Sequence, residues 1–233
     1  MNNDTNQPDE GEVILIDKPL TWTSFDVANK LKRACKFKKI GHAGTLDPLA
    51  TGLLILCTGK KTKQIDTFQA QEKEYTGTLV LGKTTPSIDL ETEFDAEYPT
   101  AHITPEILEN SRMQFIGSIE QTPPIYSALR VDGERLYKKA RRGEEVEIKK
   151  RKVEITLFET DASRFPEIDF RIICSKGTYI RSIVRDFGLA AGSGAYMSAL
   201  CRTRIGAFEL KNAWNLTDFI HQKRVELKLE VNE

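Results

Sequence analysis

The sequence predicts an α+β protein built on a mixed, largely antiparallel sheet. Three observations carry that reading: short apolar runs recur along the 233-residue chain, consecutive runs often lack a crossover helix between them, and stretches at helical spacing are too few for a bundle. No internal repeat and no Pro/Gly/Ser linker divides the chain. One domain over residues 12–210 is therefore expected, with a disordered leader over 1–11 and a short charged helix or tail over 211–233.

Val13-Ile14-Leu15-Ile16 reads as a buried strand that stops at Asp17-Lys18-Pro19, where proline ends the ladder. Ser24 is placed to cap a helix whose inward residues are Phe25, Val27, Ala28, Leu31 and Ala34, with Lys30, Lys32 and Arg33 outside. The stretch Gly41 to Gly52, GHAGTLDPLATG, follows as a structured loop, because Gly41, Gly44, Pro48 and Gly52 interrupt any regular ladder. Leu53 to Cys57 is an apolar run of strand length that anchors this loop to the core. Lys60 to Gln69 is expected to be helical, with Ile65 and Phe68 inward. In Tyr75 to Leu81 a period of two puts Tyr75, Gly77, Leu79 and Leu81 on one face.

Residues 83–98 are rich in acids and read as a solvated loop, after which Thr104-Pro105 supplies a cap and a first-turn proline for a helix. The paired prolines at 123–124 favour extended structure, and Glu134 to Arg142 forms a basic helix. Strands are expected around Val153–Phe158 and Ile168–Cys174. A helix then starts at Thr178 with Ile180, Ile183, Val184, Phe187 and Ala191 as its apolar stripe, and a last strand region runs from Ala195 to Leu210.

Composition bounds the function. Hydrophobic residues make up 39% and charged residues 29%, as in globular proteins, and no apolar run approaches the ~20 residues of a membrane span. The start of the chain has neither the basic nor the apolar region of a secretory signal, so a cytoplasmic location without a membrane role is expected. Cys35, Cys57, Cys174 and Cys201 show no C-x-x-C spacing and suit reduced core positions. A formal net charge of zero excludes a uniformly basic coat, yet cations cluster at 32–39, 60–63 and 138–152 while acids gather at 89–97.

His42 and Asp47 are the reactive-looking side chains of the glycine-rich loop. Alone they are ordinary: Asp-Pro is common at turns, and one histidine could be a loop hydrogen-bonder or a general base. No serine or cysteine elbow completes a triad, three histidines in unrelated contexts give no metal site, and neither phosphate-binding glycine motif occurs. No cofactor and no metal is expected. No second acid lies near Asp47 in sequence, against a glycosidase pair.

Together with other blocks, this loop resembles the TruB family of pseudouridine synthases. The blocks are Asp17-Lys18-Pro19 with Thr23-Ser24, GHAGTLDPLATG, Lys73-Glu74-Tyr75, the segment Pro123 to Leu129 with Gly133 and Tyr137, Ser175 to Arg181, and Leu200-Cys201-Arg202-Thr203. They cover residues 12–210 in order. The resemblance implies the pseudouridine synthase fold and conversion of uridine 55 in the T loop of tRNA to pseudouridine. Asp47 would be the catalytic carboxylate, attacking the ribose anomeric carbon or removing a sugar proton. Arg181 would hold it charged. Tyr75 and Tyr179 would pack on a flipped uracil, although periodicity alone makes Tyr75 a core aromatic. Leu200 would be an apolar wall or a core residue, and His42 would enter the space the base leaves. Lys18 and Pro19 would buttress the loop.

The resemblance further implies an RNA-binding insertion at about 123–152 and a tRNA partner bound through its T stem-loop, with no guide RNA or protein partner, by a monomer. Larger bacterial members carry a further C-terminal domain, often of the PUA type, which residues 211–233 are too few to form. The alternatives are a non-catalytic RNA-binding or tRNA-folding module on the same fold, and a nucleoside hydrolase.

Overall fold

The computed structural model describes residues 10–127, 129–131, 133–144 and 146–229. The leader expected over 1–11 lies outside them up to residue 9. So do, in the expected insertion, positions 128, 132 and 145 and the side chains of Arg130, Val131, Arg135, Tyr137, Lys138 and Arg141, and, in the expected tail, residues 230–233.

Two compact units result, 10–71 with 202–229, and 72–201. The first begins with β1 (Val13–Lys18), α1 (Ser24–Ala34), β2 (Ile40–His42), β3 (Ala50–Thr58), a 3-10 turn (Gly59–Gln64) and α2 (Ile65–Ala70). The second holds β4 (Lys73–Leu81), β5 (Lys83–Thr84), β6 (Ala96–Glu97), α3 (Pro105–Met113), β7 (Gly117–Gln121), β8 (Arg130–Val131), β9 (Glu134–Arg135), α4 (Leu136–Arg141), β10 (Arg151–Arg164), β11 (Glu167–Cys174) and α5 (Ile180–Ala190). β12 (Ala195–Ile205) returns the chain to the first unit, which ends with β13 (Phe208–Glu209), β14 (Trp214–Asn215) and α6 (Leu216–Glu226). As the sequence predicts, the class is α+β with mostly antiparallel pairing: β1 with β3, β2 with β3, β4 with β11, and β10 with both β11 and β7, while β1 and β14 pair in parallel.

In the first unit β3 is buried on both faces, which explains why it reads as an unbroken apolar run rather than an alternating one. Leu54 and Leu56 pack with Ile14 and Ile16 of β1 against Val27, Ala28 and Leu31 of α1 and Leu216 and Phe219 of α6. Leu53, Ile55 and Cys57 face the other way, toward Phe68 of α2, Ala43 and Ile205. The strand that follows the glycine-rich loop is thus held from both sides.

In the second unit β4 runs antiparallel to β11, with Tyr75 opposite Ile172 and Leu79 opposite Ile168. The predicted row holds: Tyr75, Leu79 and Leu81 are all buried. Phe115, Phe158 and Phe187 form an aromatic cluster, with centroids 5.8–6.4 Å apart.

Several expectations change. Thr23, not Ser24, caps α1 in a capping box with Asp26. The stripe of α1 is Ser24, Val27, Ala28 and Leu31, and Phe25, about 100° round the helix from Ser24, is 65% exposed. GHAGTLDPLATG is a loop only between His42 and Ala50, because its ends join β2 and β3. The 60–69 stretch is a 3-10 turn followed by α2. The helix expected from Thr178 starts at Ile180. The 83–98 segment is not simply solvated: β5 and β6 pair within it, and Thr85, Ser87, Ile88 and Asp89 are buried.

Gly77 of β4 marks a close approach in the second unit, since a Cβ there would lie 2.4 Å from the Ala199 carbonyl oxygen and 2.6 Å from the Phe170 ring. Gly77→Ala should therefore destabilise the protein by about 1–3 kcal/mol through overpacking. A urea unfolding curve with an unshifted midpoint would contradict that close approach.

Candidate active site

The loop at 43–49 has no ladder of its own, so its backbone groups must find other partners, and it is pinned at nearly every second residue. Ala43 N donates to Ile55 O (2.8 Å) and Ala50 N to Asp47 O (3.1 Å). Leu46 N donates to Ser24 Oγ (2.9 Å), whose hydroxyl faces Leu46 O at 3.4 Å. Pro48 O accepts from Thr21 N (2.9 Å) and from Lys18 Nζ (3.3 Å). Gly44 O accepts from Arg202 Nη2 (3.3 Å), and Gly52 N donates to Asp17 Oδ1 (3.1 Å). Gly44 itself sits at φ +93°, a conformation that favours glycine. Asp47 is half-buried between two fixed neighbours, the buried Leu46 and the doubly bonded Pro48.

Two buried cations do much of this. Lys18 is fully buried and also donates to Pro19 O (2.8 Å) and Trp22 O (2.6 Å). Burial pushes its ammonium down to about 8, opposed by the attraction of Asp47 and reinforced by Arg202. Arg202, also buried, donates through Nε to Leu53 O (2.8 Å). His42, at the end of β2, is pushed below the ordinary imidazole value first by burial and also by Arg202, while a bond to the Gly44 backbone opposes this. Among the described residues its buried Nδ1 has no hydrogen-bond partner.

The other expected site residues lie in the second unit. Arg181 of α5 is buried. It donates through Nη1 to Ser87 O and through Nη2 to Tyr126 O, both at 2.8 Å, with Nε 3.7 Å from Asp89 Oδ2. Tyr179 caps α5 and is held by both faces of one amide: its N–H donates to Gln121 Oε1 (2.8 Å) and its carbonyl accepts from Gln121 Nε2 (3.1 Å). Arg151 stands over its ring at 5.0 Å. Ser182 and Arg185 donate to Thr122 O at 2.8 and 3.2 Å, so α5 fixes the proline segment after β7. Tyr75 and Leu200 are both 8% exposed. Leu200 follows Ala199, which packs on Gly77 two residues from Tyr75.

Residues 32–180 match a family model described as TruB family pseudouridylate synthase, N-terminal domain. A tRNA pseudouridine synthase B of Flavobacterium johnsoniae is 55% identical over 217 residues, covering 90% of this chain and 95% of that protein. Its counterpart in Phocaeicola vulgatus is 52% identical over 226 residues, covering 93% and 96%.

The chain belongs to the TruB family.

Among solved structures, the protein of a Cbf5-Nop10-Gar1 complex superposes with a TM-score of 0.71 at 28% identity, covering 99% of this chain and 63% of that one. An archaeal box H/ACA sRNP Nop10-Cbf5 complex gives 0.68 at 25%, covering 95% and 56%. The fold is that of the pseudouridine synthases.

Sequence reasoning placed this TruB chain's loop and its flanking strand correctly but missed Arg202, Asp89 and Gln121. For Arg202 a signal was present: a cation in the interior of a strand, beside the buried Leu200 and Ile205, has to find acceptors. Asp89 was counted among the surface acids, and nothing local marks it as the buried one. Among the described residues no helix is long and apolar enough to cross a membrane, and no cluster of three potential metal ligands occurs.

Lys18 gives a pH prediction. Below pH 8 both folded and unfolded chains carry its charge, and the burial cost is fully present. Between about 8 and the unfolded value near 10.4 only the unfolded chain holds the proton, so stability rises with pH. The stability of wild type relative to Lys18→Met should accordingly increase from pH 7.5 to pH 10 in urea titrations. A pH-independent difference would contradict the buried ammonium.

Proposed function

We propose that the protein isomerises uridine 55 in the T loop of tRNA to pseudouridine, acting alone and without a cofactor. The observation that carries the reading is the 43–49 loop: a short segment held from Ala43 to Gly52, presenting one carboxylate, Asp47, within a sequence of TruB type. A reacting group held in place in this way lowers the entropic part of a barrier.

In this reading the target base leaves its stack, which costs a few kcal/mol. Asp47 either bonds to the ribose anomeric carbon as the glycosidic bond breaks, or removes a proton from the sugar. The freed uracil turns and re-attaches through carbon 5, displacing the Asp47 carboxylate from the anomeric carbon or, on the second route, with the proton returned to the sugar; carbon 5 then loses its proton and N1 gains one. Nothing is oxidised or reduced. Tyr75 and Tyr179 pack on the extruded base, Leu200 forms an apolar wall, and Arg181 lends a fixed positive charge to binding. His42 fills the space the base vacates, a role its depressed imidazole value supports, because a neutral ring enters a base stack at less desolvation cost. The cations of the 134–152 segment contact phosphates, which position the RNA without specifying it.

Tritium release from tRNA labelled at uridine carbon 5 tests the proposal. Wild type should release tritium, while Asp47→Asn should lose at least about three orders of magnitude in rate, in the range of lost catalytic side chains, and still bind the RNA. Equal release by the variant would remove Asp47 from the chemistry. Binding without any release by wild type would favour an RNA-folding module instead.

A further inference from the structure

The solvent face of α1 and the turn before it have a composition that packing does not require. Phe25 is 65% and Leu20 54% exposed, and Phe25, Asn29, Lys32 and Arg33 fall on one side of the helix by spacing. Lys30, Lys32, Arg33, Lys36, Lys38 and Lys39 are all exposed. The single acid between residues 24 and 39 is Asp26, and its carboxylate is taken up by Thr23, accepting from the backbone N–H at 3.1 Å and from Oγ1 at 2.5 Å.

Many surface cations elsewhere are paired, although Lys149, Lys150, Lys152 and Lys176 are exposed with no ion pair among the described residues. Arg164 meets Glu167 and Asp169, Arg171 meets Glu74 and Glu159, Arg142 meets Glu134 and Glu144, Lys83 meets Glu97, and Lys223 meets Glu12 and Glu226. The α1 cations have no ion pair among the described residues. In a chain whose formal charge is zero, this is a local excess of positive charge. It continues past β2, where Gly59 N donates to Lys39 O at 3.2 Å and brings in the 3-10 turn with Lys61 and Lys63.

We propose that this face docks the phosphodiester backbone of the substrate RNA, with Phe25 and Leu20 covering a sugar or base at the end of the basic track nearest Asp47. The inference rests on the reading of the protein as an RNA-modifying enzyme and adds a second place of contact to it. The chemistry favours RNA over other occupants. Exposed cations match a polyanion, an exposed aromatic ring stacks on a base whatever its sequence, and a second copy of the chain would bring a face of the same sign. The start of the face is tied to the loop, since Ser24 Oγ accepts from Leu46 N. Lys32 and Arg33 lie about two helical turns, ~12 Å, further along. Backbone held there is in fixed register with Asp47.

The test measures tRNA binding by filter retention at several salt concentrations, together with single-turnover tritium release, for Lys32→Glu/Arg33→Glu and for Phe25→Ala. The double reversal should raise Kd at least about tenfold and reduce the slope of log K against log salt by about 2. Its rate at saturating RNA should stay at the wild-type value. Phe25→Ala should raise Kd by a smaller factor and leave the salt slope unchanged. Lys32→Gln/Arg33→Gln should fall between wild type and the reversal, and thermal melts confirm that each variant is folded. If wild type converts tRNA and the double reversal binds with the same Kd and slope, the face is not an RNA surface while the enzymatic reading stands. Wild type that neither binds nor converts tRNA would sink the reading itself. A change in sedimentation with no change in RNA binding would assign the face to self-association and overturn the proposal.

Discussion

The arrangement depends on a constraint set by Gly44 and Pro48 of the 43–49 loop. They break the regular ladder, which leaves backbone carbonyls without strand partners, and buried carbonyls must be satisfied. Lys18 and Arg202 meet that need at two loop carbonyls, Pro48 through Nζ and Gly44 through Nη2, while their other donors reach Pro19, Trp22 and Leu53 around the loop. Burying a cation ordinarily costs several kcal/mol. Here fixed acceptors and the attraction between Lys18 and Asp47 offset part of it. The arrangement is self-limiting, because Arg202 and Lys18 repel one another, and that repulsion contributes to the depressed ammonium. It leaves a loop whose shape is set by charged donors anchored in strands, with a carboxylate at its centre.

The second unit uses the same device. Arg181 projects from α5 and is held by the carbonyls of Ser87 and Tyr126, two irregular segments far apart in sequence. Gln121 does the neutral equivalent for Tyr179, pairing with its N–H and C=O at once. In each case a long polar side chain from a regular element holds an irregular segment. A catalytic constellation benefits from such support because its groups need no reorganisation when substrate arrives.

This also explains what the sequence could and could not reveal. Periodicity found Tyr75, Leu79 and Leu81 on one face, and the apolar run at 53–57 announced a buried strand, because those signals are local and repeat. Phe25 was misplaced because an aromatic residue beside an apolar stripe was counted as part of it, though one residue's rotation carries it to solvent. Asp89 looked like its neighbours Glu91, Glu93 and Asp95. Its burial depends on an arginine 92 positions later in the chain. The acceptors of Lys18 and Arg202 are backbone carbonyls, which carry no residue identity and leave no trace in a sequence pattern.

A net charge of zero does not argue against a protein proposed to bind RNA, because charge balance over the whole chain says little about a site. Binding to phosphates depends on cations within about a Debye length, some 8–10 Å. Over that range cations such as Arg142, Arg164 and Arg171 are neutralised by ion pairs, each worth little to stability when exposed. Pairing of this kind has another consequence: it removes positive potential from places where RNA would bind unproductively. Buttoned-up cations such as Arg164 and Arg171 on β10 and β11 attract phosphate weakly, whereas unpaired ones on α1 retain their full field. Orientation then follows from where pairing is absent rather than from the total of positive charge.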